Sequence, residues 1–147
     1  MTIEELEENA EKGISAFQIE LALCLLRGTS PEGEKLEVDY PRARSLLEQA
    51  HANGVRTATE MLAEIYENGR GIKQDVQYAV SLYADASSRG SYLACIALGR
   101  IYAHGKGELG SSVDEAIKWY SMAIEWDGKV DDFDGLKEAN LFLENNL

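Results

Sequence analysis

Few side chains in this sequence have the types and spacing that catalysis or metal binding requires. The two histidines, His51 and His104, and the two cysteines, Cys24 and Cys95, lie far apart along the chain and form no local motif. A zinc site needs three or four such ligands at workable spacing, and a serine or cysteine nucleophile needs a neighbouring base. We therefore expect no catalytic residue, no metal and no cofactor, and we expect that the protein is not an enzyme.

Two glycine pairs, in residues 69–71 and 105–107, share part of the pattern of a phosphate-binding loop. A dinucleotide fingerprint also needs a third glycine and a preceding strand, and the sequence has neither at these places. The glycines are better explained as helix ends, where a left-handed backbone is needed.

Paired glycosidase-type carboxylates would need a cleft that nothing in the sequence predicts. The N-terminal acidic run is therefore most simply a solvated helix face; it comprises Glu4, Glu5, Glu7, Glu8 and Glu11.

The composition is that of a folded, acidic, helical protein. The chain has 147 residues, of which 45% are hydrophobic, and a formal net charge of −12. Helix-forming residues dominate, and no strand-like alternation of β-branched residues occurs. Negative charge repels nucleic-acid phosphates and anionic membranes, so we expect neither as a partner. The charge favours a basic protein partner through long-range attraction, or else it serves solubility alone.

The sequence also indicates in which cellular compartment the protein is expected. Residues 1–5 are polar and acidic, without the basic and apolar regions of a secretory signal. No stretch approaches the roughly 18 apolar residues of a membrane span. The cysteines have no pairing pattern and are expected to be reduced. We therefore expect a cytoplasmic protein, and we favour a monomer.

An internal repeat is visible by eye. Residues 58–71 align with 94–107 at an offset of 36, and residues 79–86 align with 116–123 at an offset of 37. A looser copy precedes these two, and its connection from Gly28 to Asp39 is five residues longer than the one from Gly69 to Asp75. The residues that recur in the two clear copies are Ala58, Leu62, Tyr66, Gly69, Gly71, Ala79, Tyr83 and Ala86, then Ala94, Leu98, Tyr102, Gly105, Gly107, Ala116, Tyr120 and Ala123.

The spacing predicts pairs of helices. Ala58, Leu62 and Ile65 share one helix face. The small residue after the leucine, which is Ala22, Ala63 or Gly99 in the three copies, lets two helices approach closely. Aspartates before the second helices are N-cap candidates, and glycines after both helices are C-cap candidates. The aspartates are Asp39 and Asp75; the glycines are Gly69 and Gly105 for first helices and Gly54, Gly90 and Gly128 for second helices.

A single helix, equivalent to half of a repeat, flanks the repeats at each end. Thr2 and Glu5 predict a capping box before a helix at residues 3–12, and Ala139 and Leu143 repeat the first-helix spacing in a helix from about residue 135 to residue 145. An acidic linker, residues 129–134, precedes that last helix. We predict a single all-α domain of roughly eight helices, divided into a cap helix at 1–13, repeats at 14–54, 55–90 and 91–128, and a cap helix at 129–147.

This pattern resembles the Sel-1-like repeat family, which is related to tetratricopeptide repeats. The third copy matches best, through Ala94, Leu98, Gly99, Tyr102, Gly105, Gly107, Ala116, Trp119, Tyr120 and Ala123. The resemblance implies a right-handed α/α superhelical solenoid that binds other proteins, and it implies no reaction. Some secreted relatives carry a cysteine pair in each repeat, and its absence from this chain argues against that branch of the family.

By analogy with tetratricopeptide proteins, the first helices would line a concave groove. The residues placed there are Ile19, Leu23, Leu26 and Arg27 in the first repeat, Glu60, Glu64, Glu67 and Asn68 in the second, Leu93, Ile96, Arg100 and His104 in the third, and Glu138, Leu141 and Asn145 in the last helix. The three glutamates share one face, which suits a basic partner. The alternatives are that the glutamates are exposed filler and that the apolar residues pack against neighbouring helices.

Two functions follow from these observations. The first is a small acidic immunity or inhibitor protein that binds and neutralises a basic toxin or enzyme, with association steered by charge. The second is a general adaptor that recruits a peptide or helix into the groove. Salt-dependent binding would favour the first, and loss of binding on substitution of Leu23 or Ile96 by glutamate would favour the second.

Overall fold

The computed structural model describes residues 1–125 and 133–147, and within them it contains eight α-helices and no strand. They are α1 (Ile3–Glu11), α2 (Ser15–Arg27), α3 (Tyr40–Ala52), α4 (Arg56–Asn68), α5 (Val76–Ser88), α6 (Tyr92–His104), α7 (Val113–Glu125) and α8 (Phe133–Asn146). The all-α prediction is confirmed. In the described ranges no helix has the length and apolar character needed to cross a membrane.

The helices group into two compact units, Met1–Gln74 and Asp75–Leu147. In the first unit, α1 packs on α2, α2 on α3, and α3 on α4. In the second unit, α5 packs on α6, α6 on α7, and α8 on both α7 and α6. The boundary falls inside the predicted second repeat, and the division into one domain with three repeats stays a prediction. The predicted cap at Gly128 and residues 129–132 of the predicted linker at 129–134 lie outside the described residues.

Local capping explains where most helices begin. Thr2 and Glu5 form the predicted capping box: the Glu5 amide donates to Thr2 Oγ1 at 3.2 Å, and the Thr2 amide donates to Glu5 Oε2 at 2.9 Å. The carboxylates of Asp39 and Asp75 each accept a hydrogen bond, at 3.0 Å, from the amide three residues later. Because these interactions are short-range, the sequence pattern alone was sufficient to predict them.

The glycines at the ends of first helices take two conformations. Gly28 and Gly69 are left-handed, as predicted, with φ of 72° and 65°. Gly105 also has a positive φ of 70°, but its ψ of 153° takes it out of the left-handed helical region. The prediction of a left-handed cap is therefore wrong at Gly105, where the chain turns directly into the extended segment that pairs Lys106 with Leu109.

Small residues form the interior of both units. In the first unit Ala22, Ala43, Ala50 and Ala58 are buried completely, together with the side chains of leucines one turn away. In the second unit Gly99 lies against the ring of Tyr120, which is 1% exposed. The small residues let neighbouring helices approach closely enough for the larger side chains to fill the remaining space.

Candidate functional site

A cleft lies between α2 and α4 in the first unit. Its volume is about 260 Å³, and it brings together four residues that the sequence predicted for partner binding with three that it did not. The predicted ones are Leu23, Leu26, Arg27 and Glu64; the others are Met61, Ile65 and Arg70. Because α2 and α4 both pack on α3, their outward faces form the two walls of the cleft.

Met61, Ile65 and Arg70, which the sequence did not predict, form most of the cleft wall on the side of α4. Met61 and Ile65 are one turn apart on α4, and Arg70 lies in the turn that follows this helix. The i, i+4 spacing of Met61 and Ile65 was a usable signal, because such residues share a helix face. Arg70 had no such signal, since the direction of its side chain depends on the turn built by Gly69 and Gly71.

The cleft combines an apolar interior with charge at its rim. Arg70 Nη1 lies 3.5 Å from Glu64 Oε1, and its guanidinium also lies 6.0 Å from the ring centroid of Tyr40. Arg27 is exposed at the end of α2. Leucine, isoleucine and methionine side chains form the interior, so the cleft suits an apolar group that carries polar or charged neighbours.

The row of glutamates on α4 is partly neutralised by arginines of the same unit. Glu60 Oε1 lies 3.4 Å from Arg56 Nε, and Glu64 Oε1 accepts from Arg70. Both glutamates are on the helix face that the spacing predicted, as is Glu67, but the negative charge is smaller than the sequence suggests. Asn68 donates its side-chain amide to the backbone carbonyl of Glu64 at 3.1 Å, which is a bond within the helix.

Predicted groove residues in the second unit have different environments. Leu93 and Leu141 are 59% and 60% exposed, and His104 is also exposed. Ile96 is only 4% exposed, which agrees with the alternative that apolar residues of the predicted groove pack against neighbouring helices. The reason is that α6 packs against α5, α7 and α8, which covers more than one face of this helix. In the first unit, Ile19 is half-buried on α2.

Arg100 joins α6 to α8. Its Nε and Nη2 donate to Glu138 Oε1 and Oε2 at 3.0 and 2.6 Å, and the Tyr120 hydroxyl donates to Glu138 Oε1 at 2.7 Å. The Tyr120 ring also lies 5.2 Å from that of Phe142. A bidentate arginine–carboxylate pair fixes both distance and orientation, so the last helix lies over part of the predicted groove surface in this unit.

Titration of Glu138 follows from these contacts. The hydrogen bonds from Arg100, joined by the bond from Tyr120, hold the pKa of Glu138 below its ordinary value despite partial burial. Burial, the bond to Glu138 and its negative charge raise the pKa of Tyr120 well above its ordinary value. Both shifts favour the same arrangement at neutral pH, with an ionised Glu138 and a protonated Tyr120.

We expect Glu138→Gln to lower the free energy of unfolding at pH 7 by about 1 kcal/mol, because charged hydrogen bonds are lost. The pKa of Glu138 is lower in the folded protein than in the unfolded protein, where it is about 4.3. Ionised Glu138 therefore stabilises the fold above about pH 4.3, and this stabilisation is lost as the pH falls through the folded-state pKa. The wild-type protein should therefore lose more stability than the variant between about pH 5 and pH 3. Urea unfolding across this range tests the prediction, with Glu144→Gln on the same helix as the control. Equal acid sensitivity of wild type and Glu138→Gln would contradict it.

The two histidines and two cysteines that the sequence offered as candidates for chemistry lie in surroundings that suit structural roles. His51 Nδ1 lies 2.7 Å from the hydroxyl of buried Thr59, and His104 is the last residue of α6. Burial raises the pKa of the Cys24 and Cys95 thiols, which disfavours the nucleophilic thiolate. Across residues 1–125 and 133–147, no three His, Cys, Asp or Glu side chains are grouped so that they could hold a metal ion.

The paired helices of this fold define a helical repeat protein. The chain belongs to the Sel1 repeat family, whose model matches residues 15–55, 57–91 and 93–125. The resemblance noted in the sequence is thereby confirmed. Sel1 repeats are protein-interaction modules, and their fold is a scaffold that is generally not enzymatic.

Similar proteins are found in several bacteria. The Sel1-repeat-containing protein YjcO of Escherichia coli K12 is 32% identical over 134 residues, which cover 84% of this chain and 56% of YjcO. The chain thus spans about half the length of the curated relatives it matches. A Sel1 repeat protein from Oxalobacter formigenes has a crystal structure that superposes with a TM-score of 0.68 and 28% identity, over 96% of each chain.

Two further solved structures support the fold. A protective antigen of uropathogenic Escherichia coli with an SLR fold superposes with a TM-score of 0.74 and 30% identity, over 85% of this chain and 26% of that protein. Cysteine-rich protein B of Helicobacter pylori superposes with a TM-score of 0.64 at 18% identity, over 92% of this chain and 93% of that one, and supports the fold alone.

Proposed function

We propose that this protein is a non-catalytic interaction module that holds an apolar segment of another protein in the cleft between α2 and α4. The observation that carries the proposal is the convergence in one cleft of half-buried Leu23, Leu26 and Met61 from two separate helices, over a base formed by Ile65, which is 2% exposed. Such a surface costs free energy when it faces water, and a partner's apolar side chain would remove that cost.

The size of the cleft supports a protein segment over a small-molecule ligand. Its volume of about 260 Å³ lies below the range of roughly 300–1,000 Å³ that is usual for small-molecule sites. One large side chain, or two small ones from adjacent turns of a helix, fits this space. Arg27 and the Arg70–Glu64 pair lie where they would meet the polar residues that flank such an anchor.

Leu26→Glu tests this proposal against a partner isolated with the wild-type protein. We expect binding to weaken more than tenfold, because the substitution removes an apolar contact and the new carboxylate would lose its hydration when the partner covers it. Ile117→Glu, at a half-buried position of α7 in the other unit, is the matched control for general loss of stability. The two affinities are measured by calorimetry with circular dichroism as a check on folding. Equal binding by wild type and a folded Leu26→Glu variant would reject the cleft as the binding site.

A second candidate is a small acidic immunity or inhibitor protein that neutralises a basic toxin or enzyme. The formal net charge of −12 and the glutamates on one face of α4 favour it. Long-range attraction of this kind accelerates association with a basic partner and weakens as salt is added. The pairing of Glu60 with Arg56 and of Glu64 with Arg70 reduces the local attraction, so apolar recognition in the cleft ranks first.

Charge reversal separates the two candidates. For a basic partner, replacing Glu60, Glu64 and Glu67 by lysine should slow association at least tenfold at low salt and much less at high salt. The control variant replaces three exposed acidic residues of the second unit by lysine, namely Glu108, Asp114 and Glu125, and changes the net charge equally. Equal association rates for the two triple variants would show that only overall charge matters. A rate independent of salt would exclude the inhibitor function.

Location and assembly belong to the same proposal. We expect a cytoplasmic monomer, which agrees with two free, buried cysteines and with an acidic surface that disfavours anionic membranes. Neither nucleic acid nor a cofactor is part of the proposed function.

A further inference from the structure

We propose that a second cleft, on the other side of α2, receives a basic side chain of a partner protein. Leu25 contributes to this second cleft, whereas Leu23 and Leu26 face the α2–α4 cleft. At about 100° per residue, Leu25 lies about 160° around the helix from Leu23 and about 100° from Leu26, so it points away from the α2–α4 cleft. The two clefts share no lining residue, so the second one stands on its own geometry.

The second cleft is built by the connection that is longer in the first repeat than in the others. Residues 28–39 form this connection, and it is held in a defined conformation by backbone hydrogen bonds. The Leu36 amide donates to the Gly28 carbonyl at 2.8 Å, and the Asp39 amide donates to the Leu25 carbonyl at 3.2 Å. A Cβ at Gly28 would lie 3.1 Å from Val38 Cγ2, so Val38 already packs closely on the end of α2.

Four apolar side chains line the second cleft beside its four charged residues. Leu25 is buried, Leu36 and Ile3 are half-buried, and Val38 is 48% exposed. The volume is about 260 Å³, which again is below the range usual for small molecules and suits one long side chain. Exposed valine in an ordered connection leaves apolar surface that an aliphatic chain would cover.

The charges at the rim favour a cation. Three carboxylates, those of Glu7, Glu37 and Asp39, face one guanidinium, that of Arg42. Arg42 Nη1 is already 2.8 Å from Glu7 Oε1, so this pair is neutral. One Asp39 oxygen accepts from the Arg42 amide as the N-cap of α3, and its charge offsets the positive end of that helix. In the described residues Glu37 forms no salt bridge, so an uncompensated negative charge remains beside Val38.

An arginine or lysine side chain matches both features. Its aliphatic stem would lie against Leu36 and Val38, while its charged end would reach Glu37 and the free oxygen of Asp39. Long basic side chains commonly bury their methylene groups on apolar surface and keep the charge at the edge. The formal net charge of −12 draws such a partner towards the protein as a whole, and the cleft would give the contact a defined place.

A small probe tests the inference without requiring the natural partner. N-acetyl-arginine methylamide is titrated into uniformly ¹⁵N-labelled full-length protein, and amide shifts are followed by NMR. Its neutral isostere, N-acetyl-citrulline methylamide, is titrated in parallel. We expect saturable shifts at residues 3, 7 and 36–39 with the arginine probe only. Glu37→Gln should weaken the binding about threefold, the effect of losing one exposed ion pair, whereas Glu32→Gln on the same connection should leave it unchanged.

Several outcomes would overturn the inference. They are equal shifts with the citrulline probe, equal weakening by Glu37→Gln and Glu32→Gln, and the absence of saturable shifts at these residues up to the solubility limit of the probe. Shifts centred on the glutamates of α4 would assign the basic contact to that face instead. Because the readout does not involve the α2–α4 cleft, failure here leaves the proposed function standing, and loss of partner binding in Leu26→Glu leaves this inference standing.

Discussion

Gly99→Ala should lower the free energy of unfolding by up to about 2 kcal/mol, although alanine is the better helix former. A Cβ at this position would lie 2.6 Å from Cδ1 of Tyr120, which is closer than such atoms pack. The ring cannot move away easily, because its hydroxyl bonds to Glu138 and its centroid lies 5.2 Å from that of the Phe142 ring. Overpacking of this kind costs about 1–3 kcal/mol, whereas the gain in helix propensity is only about 1 kcal/mol.

A double-mutant cycle provides the control for Gly99→Ala. In a Tyr120→Leu background the ring is absent, so the same substitution should be neutral or stabilising by up to about 1 kcal/mol. Urea unfolding of the four proteins gives the coupling energy. A cost for Gly99→Ala that is the same in both backgrounds would show that contact with Tyr120 does not select glycine here.

Gly71→Ala should destabilise the protein by about 3 kcal/mol. A Cβ would overlap the Cβ of Tyr40 and lie 2.7 Å from its Cγ, and these atoms are fixed because Tyr40 is the first residue of α3. The residue also has a φ of 67°, a left-handed conformation that costs alanine about 1–2 kcal/mol. The remainder of the expected loss is steric overlap with Tyr40.

Gly54→Ala is the matched control, since Gly54 has a φ of 81° but no atom within 4 Å of an added Cβ. It should cost about 1 kcal/mol, and the difference between the two variants measures the overlap with Tyr40. Thermal and urea unfolding both report it. If Gly54→Ala and Gly71→Ala lower the free energy of unfolding equally, backbone conformation alone explains the glycine at position 71, and contact with Tyr40 does not.

Features that depend on neighbouring residues in the chain were predictable from the sequence. The capping box of Thr2 and Glu5 and the aspartate caps of α3 and α5 join residues three apart, so their spacing suffices. The repeat predicted the first and second helices of the clear copies for the same reason. The last helix begins at Phe133, two residues before the predicted start, which is the usual uncertainty of a helix end.

Features that depend on packing between helices were only partly predictable. Ile96 was assigned to a binding surface because its position in the repeat matches a groove position, but three helices pack around α6 and bury it. The pairing of Glu60 with Arg56 had an i, i+4 signal, whereas that of Glu64 with Arg70 required the turn at Gly69. The bidentate contact of Arg100 with Glu138 joins residues on separate helices, and no local pattern marks it.

The central claim is that a partner protein occupies the cleft between α2 and α4. Site-specific photo-crosslinking tests it most directly, with benzoylphenylalanine placed at Leu26 in the cleft and, as a control, at exposed Ala52 on α3. The variants are irradiated in native lysate, and crosslinked products are identified by mass spectrometry. We predict one product at Leu26 that is absent at Ala52 and that disappears when excess unlabelled wild-type protein competes. The same products from both positions, or none at Leu26 while Ala52 captures a partner, would contradict the account.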